Sequence, residues 1–205
     1  GKSTVAARVA RELGFQLIDT GALYRAVAYH ALERFVDTDD PEAVAEVADE
    51  LSFGFETTDD ENTLYCNGEA MGGEIRTPEV SQLTSVISSY PEVREALLDV
   101  QRQLGRSDSS VLEGRDIGTV VFPDADLKIF LTAGARERAR RRCEQLAEQG
   151  EEADIEAVTE EIRQRDRRDR NRDIAPLCKA EDAVEIDTTD MSIDEVVEAV
   201  LDLVE

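Results

Sequence analysis

Val5, Ala6, Val9, Ala10 and Leu13 recur at helical spacing behind Gly1-Lys2-Ser3-Thr4, and Gly14 follows them. The pattern predicts an amphipathic helix that opens at the start of the chain and closes at Leu13. The apolar run Phe15–Ile18 reads as a strand, and Asp19-Thr20-Gly21-Ala22-Leu23-Tyr24-Arg25 leads into a second helix through about Arg34. Pro41 to Leu51 predicts a third helix, with Val44, Val47, Ala48 and Leu51 on one face. The period then changes. Ser52–Glu56 and Thr63–Gly68 flank the turn-rich Thr57–Asn62 and predict a β-hairpin, while Glu69 to Arg76 carries no clear period. Pro78 to Ser89 and Pro91 to Leu104 read as helices parted at Tyr90-Pro91. Ser110–Glu113 and Leu127–Leu131 read as buried strands. Two polar helices follow, Ala135 to Gln149 and about Ile155 to Arg170, joined by the acidic Glu148–Asp154. Ala183–Asp187 is a last strand. Ser192 to Val204 is a closing helix whose stripe of Ile193, Val196, Val197, Val200, Leu201 and Val204 reads as core.

Strands alternating with helices predict an α/β fold with a parallel sheet. In such sheets ligands bind at the loops that follow the strands. The length of 205 residues suits a single domain over 1–205, with a small β-containing insertion at about 52–90. Hydrophobic residues make up 41% and aromatic residues only 5%, so the core must be aliphatic. No apolar run reaches eighteen residues, which excludes a membrane-spanning helix from the expectation. Cys66, Cys143 and Cys178 are scattered, without a C-x-x-C, which argues against a disulfide framework or a zinc site and fits a reducing cytosol. His30 is the single histidine and sits on a predicted helix, so it reads as packing, and Ser-His-Asp chemistry is not expected. The net charge of −24 repels nucleic acid and anionic membranes. Of the 23 basic residues only Lys2, Lys128 and Lys179 are lysine. Abundant Asp and Glu with scarce Lys predict a salt-adapted, cytoplasmic protein whose self-repulsion is screened.

The candidate chemistry begins at Gly1-Lys2-Ser3, which opens a helix as the second half of a P-loop does, G-x-x-x-x-G-K-[ST]. A helix N-terminus favours phosphate through its unpaired N–H groups and its dipole. Lys2 would reach the β- and γ-phosphates and Ser3 would ligate Mg²⁺; a capped surface helix is the other reading of these residues. The first strand and the leading glycine of the motif are expected ahead of Gly1. Thr20, Tyr24 and Arg25 fall where a second substrate could meet the phosphate loop, and Thr20 also reads as a helix cap. Glu113-Gly114-Arg115-Asp116 ends a strand. It is either a site loop, with an arginine fork for phosphate and a carboxylate for an exocyclic amine, or an internal Arg–Asp turn. Arg165, Asp169 and Arg172 are spaced to share one helix face. That face reads as solvated and laced with ion pairs, Arg163–Arg172 also reads as an RNA-binding segment, and the two arginine-bearing helices, at about 140–172, also read as a lid over a polyphosphate. Interleaved Asp and the overall charge weigh against RNA.

Taken together, several runs resemble the bacterial cytidylate kinases, within the P-loop nucleoside monophosphate kinases. They are Ile18–Arg25, Gly73–Thr77, Val93–Leu98, Glu113–Ala125 and Arg165–Arg172 followed by Ala175-Pro176-Leu177, and the resemblance extends from Gly1 to the C-terminal helix. It implies transfer of the ATP γ-phosphoryl group to CMP or dCMP with Mg²⁺, a five-stranded parallel core, an enlarged monophosphate-binding insertion and a helical lid. It implies that Gly1, Lys2, Ser3 and Thr4 hold ATP, with Arg141 reaching it from the lid. Many relatives have Gly where this chain has Ser3, so the metal falls to Ser3 or Thr4. Thr20, Tyr24 and Arg25 are implied to hold the CMP phosphate side, with Arg115 and Arg172 converging on that phosphate. Ser85, Arg94 and Asp116 are implied to read cytosine, and Arg165 and Asp169 to read ribose. Lys2, Arg115 and Arg172 are then the expected catalytic residues. Phosphoryl transfer asks mainly for positioning and charge neutralisation, so no histidine or cysteine is required. A monomer with small-molecule partners, and neither nucleic acid nor membrane, is expected. Another small-acceptor P-loop kinase and a non-catalytic nucleotide-binding module are the alternatives.

Overall fold

A computed structural model describes residues 1–58, 61–148, 150 and 152–204. Asp59 and Asp60 of the predicted turn, Gln149 at the end of a predicted helix, and Glu151 of the acidic connection lie outside the described residues. The chain forms two compact units, residues 6–114 and residues 1–5 with 115–205. Helix α1 (Lys2–Leu13) begins in the second and continues in the first.

In residues 6–114, strand β1 (Gln16–Asp19) leads directly into α2 (Thr20–Glu33), followed by α3 (Pro41–Asp49). Three antiparallel strands come next, β2 (Phe53–Thr57), β3 (Asn62–Cys66) and β4 (Glu69–Met71), with β3 in the middle. A 3-10 turn at Gly73–Arg76 buries Ile75 and precedes α4 (Pro78–Ile87), α5 (Pro91–Arg106) and β5 (Ser110–Glu113). Strand β5 lies parallel to β1, with Gln16 opposite Ser110 and Asp19 opposite Glu113, so both strands end level. The core is aliphatic, as the composition requires. Leu23, Ala26, Val27 and Ala28 of α2 are fully buried with Val44, Ile87, Val93 and Leu97 from α3, α4 and α5. The alanines let neighbouring backbones approach, and the larger residues fill the space between them.

The hairpin expected over 52–68 is present, but the sheet has a third strand. Three residues are too few to display an alternation, so β4 leaves no period to read. Its signal is Asn67-Gly68: both residues have positive φ, 52° and 83°, the tight-turn geometry that Asn-Gly favours.

In the other unit, a π-helical turn at Ile117–Val121 precedes β6 (Ile129–Thr132), α6 (Ala135–Glu148), α7 (Ile155–Arg170), β7 (Val184–Asp187) and α8 (Ile193–Leu201). Strands β6 and β7 are parallel, with Ile129 opposite Val184. Neither β5 nor β6 is the fully buried strand its apolar run predicts, since most of their residues are only partly covered. Each has a single strand neighbour among the described residues. Ser192 and Glu195 form a capping box on α8, and Val196, Val197 and Val200 are buried. Ile193 stays 44% exposed and Val204 lies past the helix end, so the inner stripe is narrower than expected.

Helices α6 and α7 meet through polar groups. Arg138 of α6 donates through Nη1 and Nη2 to the two carboxylate oxygens of Asp166 on α7, at 3.0 and 2.5 Å, and its Nε donates to the carbonyl of Ala133. Burial pushes the Asp166 carboxyl up. The Arg138 hydrogen bonds and charge, with Arg115 and Arg170, outweigh that and hold it below the usual range. Elsewhere on these helices, Arg140 pairs with Glu137 and Glu144, and Arg167 with Glu160 at exposed positions. Such pairs contribute little to stability and describe a solvated face.

Candidate active site

The ends of β1 and β5 carry the first cluster. Asp19 is the cap of α2, its Oδ1 accepting from the Ala22 N–H at 3.2 Å, while its Oδ2 accepts from Arg25 Nη2 at 2.7 Å. Thr20 is therefore not the cap. It is the first helical residue, and its hydroxyl donates to the Glu113 carbonyl at 2.7 Å, tying the two strand ends together. Gly21 leaves the room this requires, because a Cβ there would stand 3.1 Å from Asp19 Oδ1 and 3.2 Å from Arg25 Nη1. One donor of Arg25, the buried Nε, has no protein acceptor. A guanidinium carries five donors in a fixed fork, so an anionic oxygen fits there. One residue earlier on α2, the ring of Tyr24 lies 5.9 Å from the Arg94 guanidinium carbon, and Arg94 Nη1 donates to the Ser88 carbonyl. The Ser85 hydroxyl on α4 is buried with no protein hydrogen-bond partner. Thr20, Tyr24, Arg25, Ser85 and Arg94 all belong to this unit.

The second cluster is built on Asp169 of α7, which is 2% exposed. Arg115 donates through Nε to its Oδ2 at 2.9 Å, Arg172 through Nη2 to its Oδ1 at 2.5 Å, and Arg165 Nε lies 4.0 Å away. The sequence spacing places Arg172 on the same helix face, but α7 ends at Arg170. Arg172 follows the cap Asn171 and reaches back onto the carboxylate from outside the helix. The backbone closes behind it, the Leu177 N–H donating to the Asp169 carbonyl at 2.7 Å. Three guanidiniums gathered round one carboxylate present forks of the kind that suits phosphate oxygens. Asp116, next to Arg115, is buried at the head of the π-helical turn, and its carbonyl accepts from the Val120 N–H at 2.9 Å.

The third group is the start of α1. The Val5 N–H donates to the Gly1 carbonyl at 3.0 Å, so Lys2, Ser3 and Thr4 occupy the first helical turn. Arg141 of α6 stands beside it: a Cβ on Gly1 would lie 3.5 Å from Arg141 Nη1. Arg141 donates through Nη2 to the Thr188 carbonyl at 2.6 Å and through Nε to Glu137 at 2.8 Å. Hydrogen bonds from Arg140, with those of Arg141, hold the Glu137 carboxyl down at about 2. Ser3 and Thr4 are exposed and offer hard hydroxyl oxygens. No group of three or more His, Cys, Asp or Glu able to hold a metal occurs among the described residues. Mg²⁺ fits such a place, because it keeps several waters and takes one or two protein oxygens plus substrate phosphates.

Gly1, Lys2, Ser3, Thr4, Arg115, Asp116, Arg141, Arg165, Asp169 and Arg172 thus share one unit. Sequence reasoning passed over Asp19, although an Asp just before a helix is a cap signal. It also passed over Glu137 and Asp166, which position the α6 arginines and look in sequence like any surface acid.

A family model described as cytidylate kinase matches residues 1–205. The cytidylate kinase of Exiguobacterium sp. (strain ATCC BAA-1283 / AT1b) is 45% identical over 205 residues, covering 100% of this chain and 92% of that protein. The cytidylate kinase of Bacillus subtilis (strain 168) is likewise 45% identical, with 100% and 92% covered. That of Pasteurella multocida (strain Pm70) is 44% identical, with 100% and 90% covered.

Proposed function

Because this chain belongs to the cytidylate kinase family, we propose that it transfers the γ-phosphoryl group of ATP to CMP or dCMP. A phosphate oxygen of the nucleoside monophosphate attacks the γ-phosphorus, and the bond from that phosphorus to the β–γ bridging oxygen breaks. The electron pair leaves with ADP, and CDP or dCDP forms. The observation that carries this reading within the molecule is the set of guanidiniums on buried Asp169, a preorganised anion cradle.

Arg115 and Arg172 hold the acceptor phosphate and take up the charge that develops on the transferred group, with Asp169 keeping their forks aimed. Arg25, with Thr20 and Tyr24 beside it on α2, holds the CMP phosphate side, and its buried Nε has no protein acceptor. The orphan Ser85 hydroxyl, Arg94 and Asp116 read the cytosine edge, while Arg165 and Asp169 meet the ribose. Gly1, Lys2 and the following turn cradle the ATP phosphates, and Arg141 closes over them. Mg²⁺, when bound with ATP, neutralises the β- and γ-phosphate oxygens, and the Ser3 or Thr4 hydroxyl would hold it. Residues at about 52–90 serve as the monophosphate-binding insertion, and those at about 140–172 as a lid that excludes water from the transferred group.

A coupled assay of ADP release against CMP, dCMP, UMP, AMP and shikimate checks the acceptor. CMP and dCMP are expected to exceed the others in kcat/KM by about tenfold or more, because a polar site built for one base edge leaves groups unpaired with another. Equal rates across the panel would remove the cytosine assignment.

The protein works as a monomer in a salt-rich cytoplasm. The net charge of −24 destabilises the compact state by self-repulsion. Raising salt from about 0.1 to 1 M shortens the screening length from about 10 to about 3 Å. Tm is therefore expected to rise between low and molar KCl. A Tm that stays level or falls would count against salt adaptation.

A further inference from the structure

We propose that Lys128 is a positioning residue for the acceptor site, acting through the π-helical turn that follows Arg115 and Asp116. It is one of three lysines in the chain, and its side chain is only 7% exposed. The ammonium group joins two separate segments: Nζ donates to the carbonyl of Pro123 and to Asp182 Oδ2, the latter at 2.5 Å. Pro123 closes the segment that carries Arg115 and Asp116, and Asp182 lies just ahead of β7. Asp182 is 64% exposed, so the ion pair has one end in water and one in the protein.

The stem of Lys128 does as much as its charge. A Cβ on Gly118, the second residue of the π-helical turn, would stand 3.1 Å from Lys128 Cδ and 3.3 Å from Cγ. The lysine stem therefore lies directly against the turn's backbone, and a Cβ at this position would push the stem back by a few tenths of an ångström. A π-helical turn is rare, and such local geometries persist where the surroundings over-determine them. This one is held from within by the Asp116 carbonyl, which accepts from the N–H groups of Thr119, Val120 and Val121. From outside it is held by the stem and the anchored ammonium of Lys128. Asp116 is its cap residue and Arg115 precedes it, so the turn's position sets where both side chains start. One compact ammonium serves both the Pro123 carbonyl and Asp182, a geometry that the planar fork of an arginine does not reproduce.

The proposal rests on the functional reading above, because the acceptor is taken to meet Arg115 and Asp116. Lys128→Met keeps most of the stem and deletes the charge. It is expected to raise KM for CMP by about tenfold or more while KM for ATP changes by less than about twofold. A small displacement of a positioning loop is felt that strongly. Amide exchange at Val120, Val121 and Phe122 is expected to quicken in the same variant, with α8 unchanged. Gly118→Ala attacks the contact from the other side and is expected to give the same split if Lys128→Met fails to fold. Equal changes in both KM values, or no change in either, with the turn amides still protected, would overturn the proposal. If the unaltered protein does not turn over CMP, the functional reading fails instead, and the exchange result still decides whether Lys128 holds the turn.

Discussion

Asp169→Ala is expected to lower stability by about 3–5 kcal/mol, the usual effect of removing one partner from a buried ion pair. Arg172, 8% exposed, would lose the carboxylate that it donates to at 2.5 Å, and Arg115 would lose the same partner. Against a total stability of roughly 5–15 kcal/mol that is a large fraction. Arg115 is partly exposed and can turn toward water, so the lower end of the range is the better expectation. Urea denaturation measures it. Asp169→Asn keeps the volume and one acceptor oxygen and is expected to fold. It should still lose about a hundredfold in kcat/KM for CMP, because the guanidiniums lose the charge that aims them. Wild-type kinetics in Asp169→Asn would show that the cluster only holds the fold together.

Lys2→Ala is expected to lower kcat by about a thousandfold, the scale of removing a charged donor from a transferring phosphoryl group. KM for CMP should change little, since Lys2 is assigned to the ATP phosphates. The fold should be indifferent: Lys2 is the first residue of α1 and half-buried, with no place in the aliphatic core. Steady-state kinetics on the intact protein together with a thermal melt separate the two effects. An unchanged kcat would refute the phosphate-loop role.

Much of the framework could be read from spacing. α1, α3, α4 and α5 begin where the apolar repeat or a proline says they should. The parallel pairing of β1 with β5 and of β6 with β7 follows from strands separated by helices. The failures have particular causes. β4 has three residues and needed its Asn-Gly turn to be noticed. Thr20 took the cap's place in the reading because Thr and Asp are both good caps, and only the Ala22 N–H chooses Asp19. Arg172 fits the helical spacing as arithmetic, but α7 stops at Arg170, and the contact with Asp169 is made by the chain turning back.

By itself the sequence determined the helical and extended segments, the aliphatic character of the core, and the family. These follow from local geometry, from composition, or from the order of short runs, none of which needs a distant partner. Only the tertiary structure decided which charges meet. Arg138 crosses to Asp166 while Arg140, two residues on, stays with Glu137, and Arg115 finds Asp169 from 54 positions away. Lys128 is buried against Gly118 and Asp182, although in sequence it is simply a lysine at the start of a strand. The physical reason is that a side chain's direction is set by its own backbone, whereas the partner of a charge depends on which remote segment packing brings within a few ångströms, and on how much water is left between them.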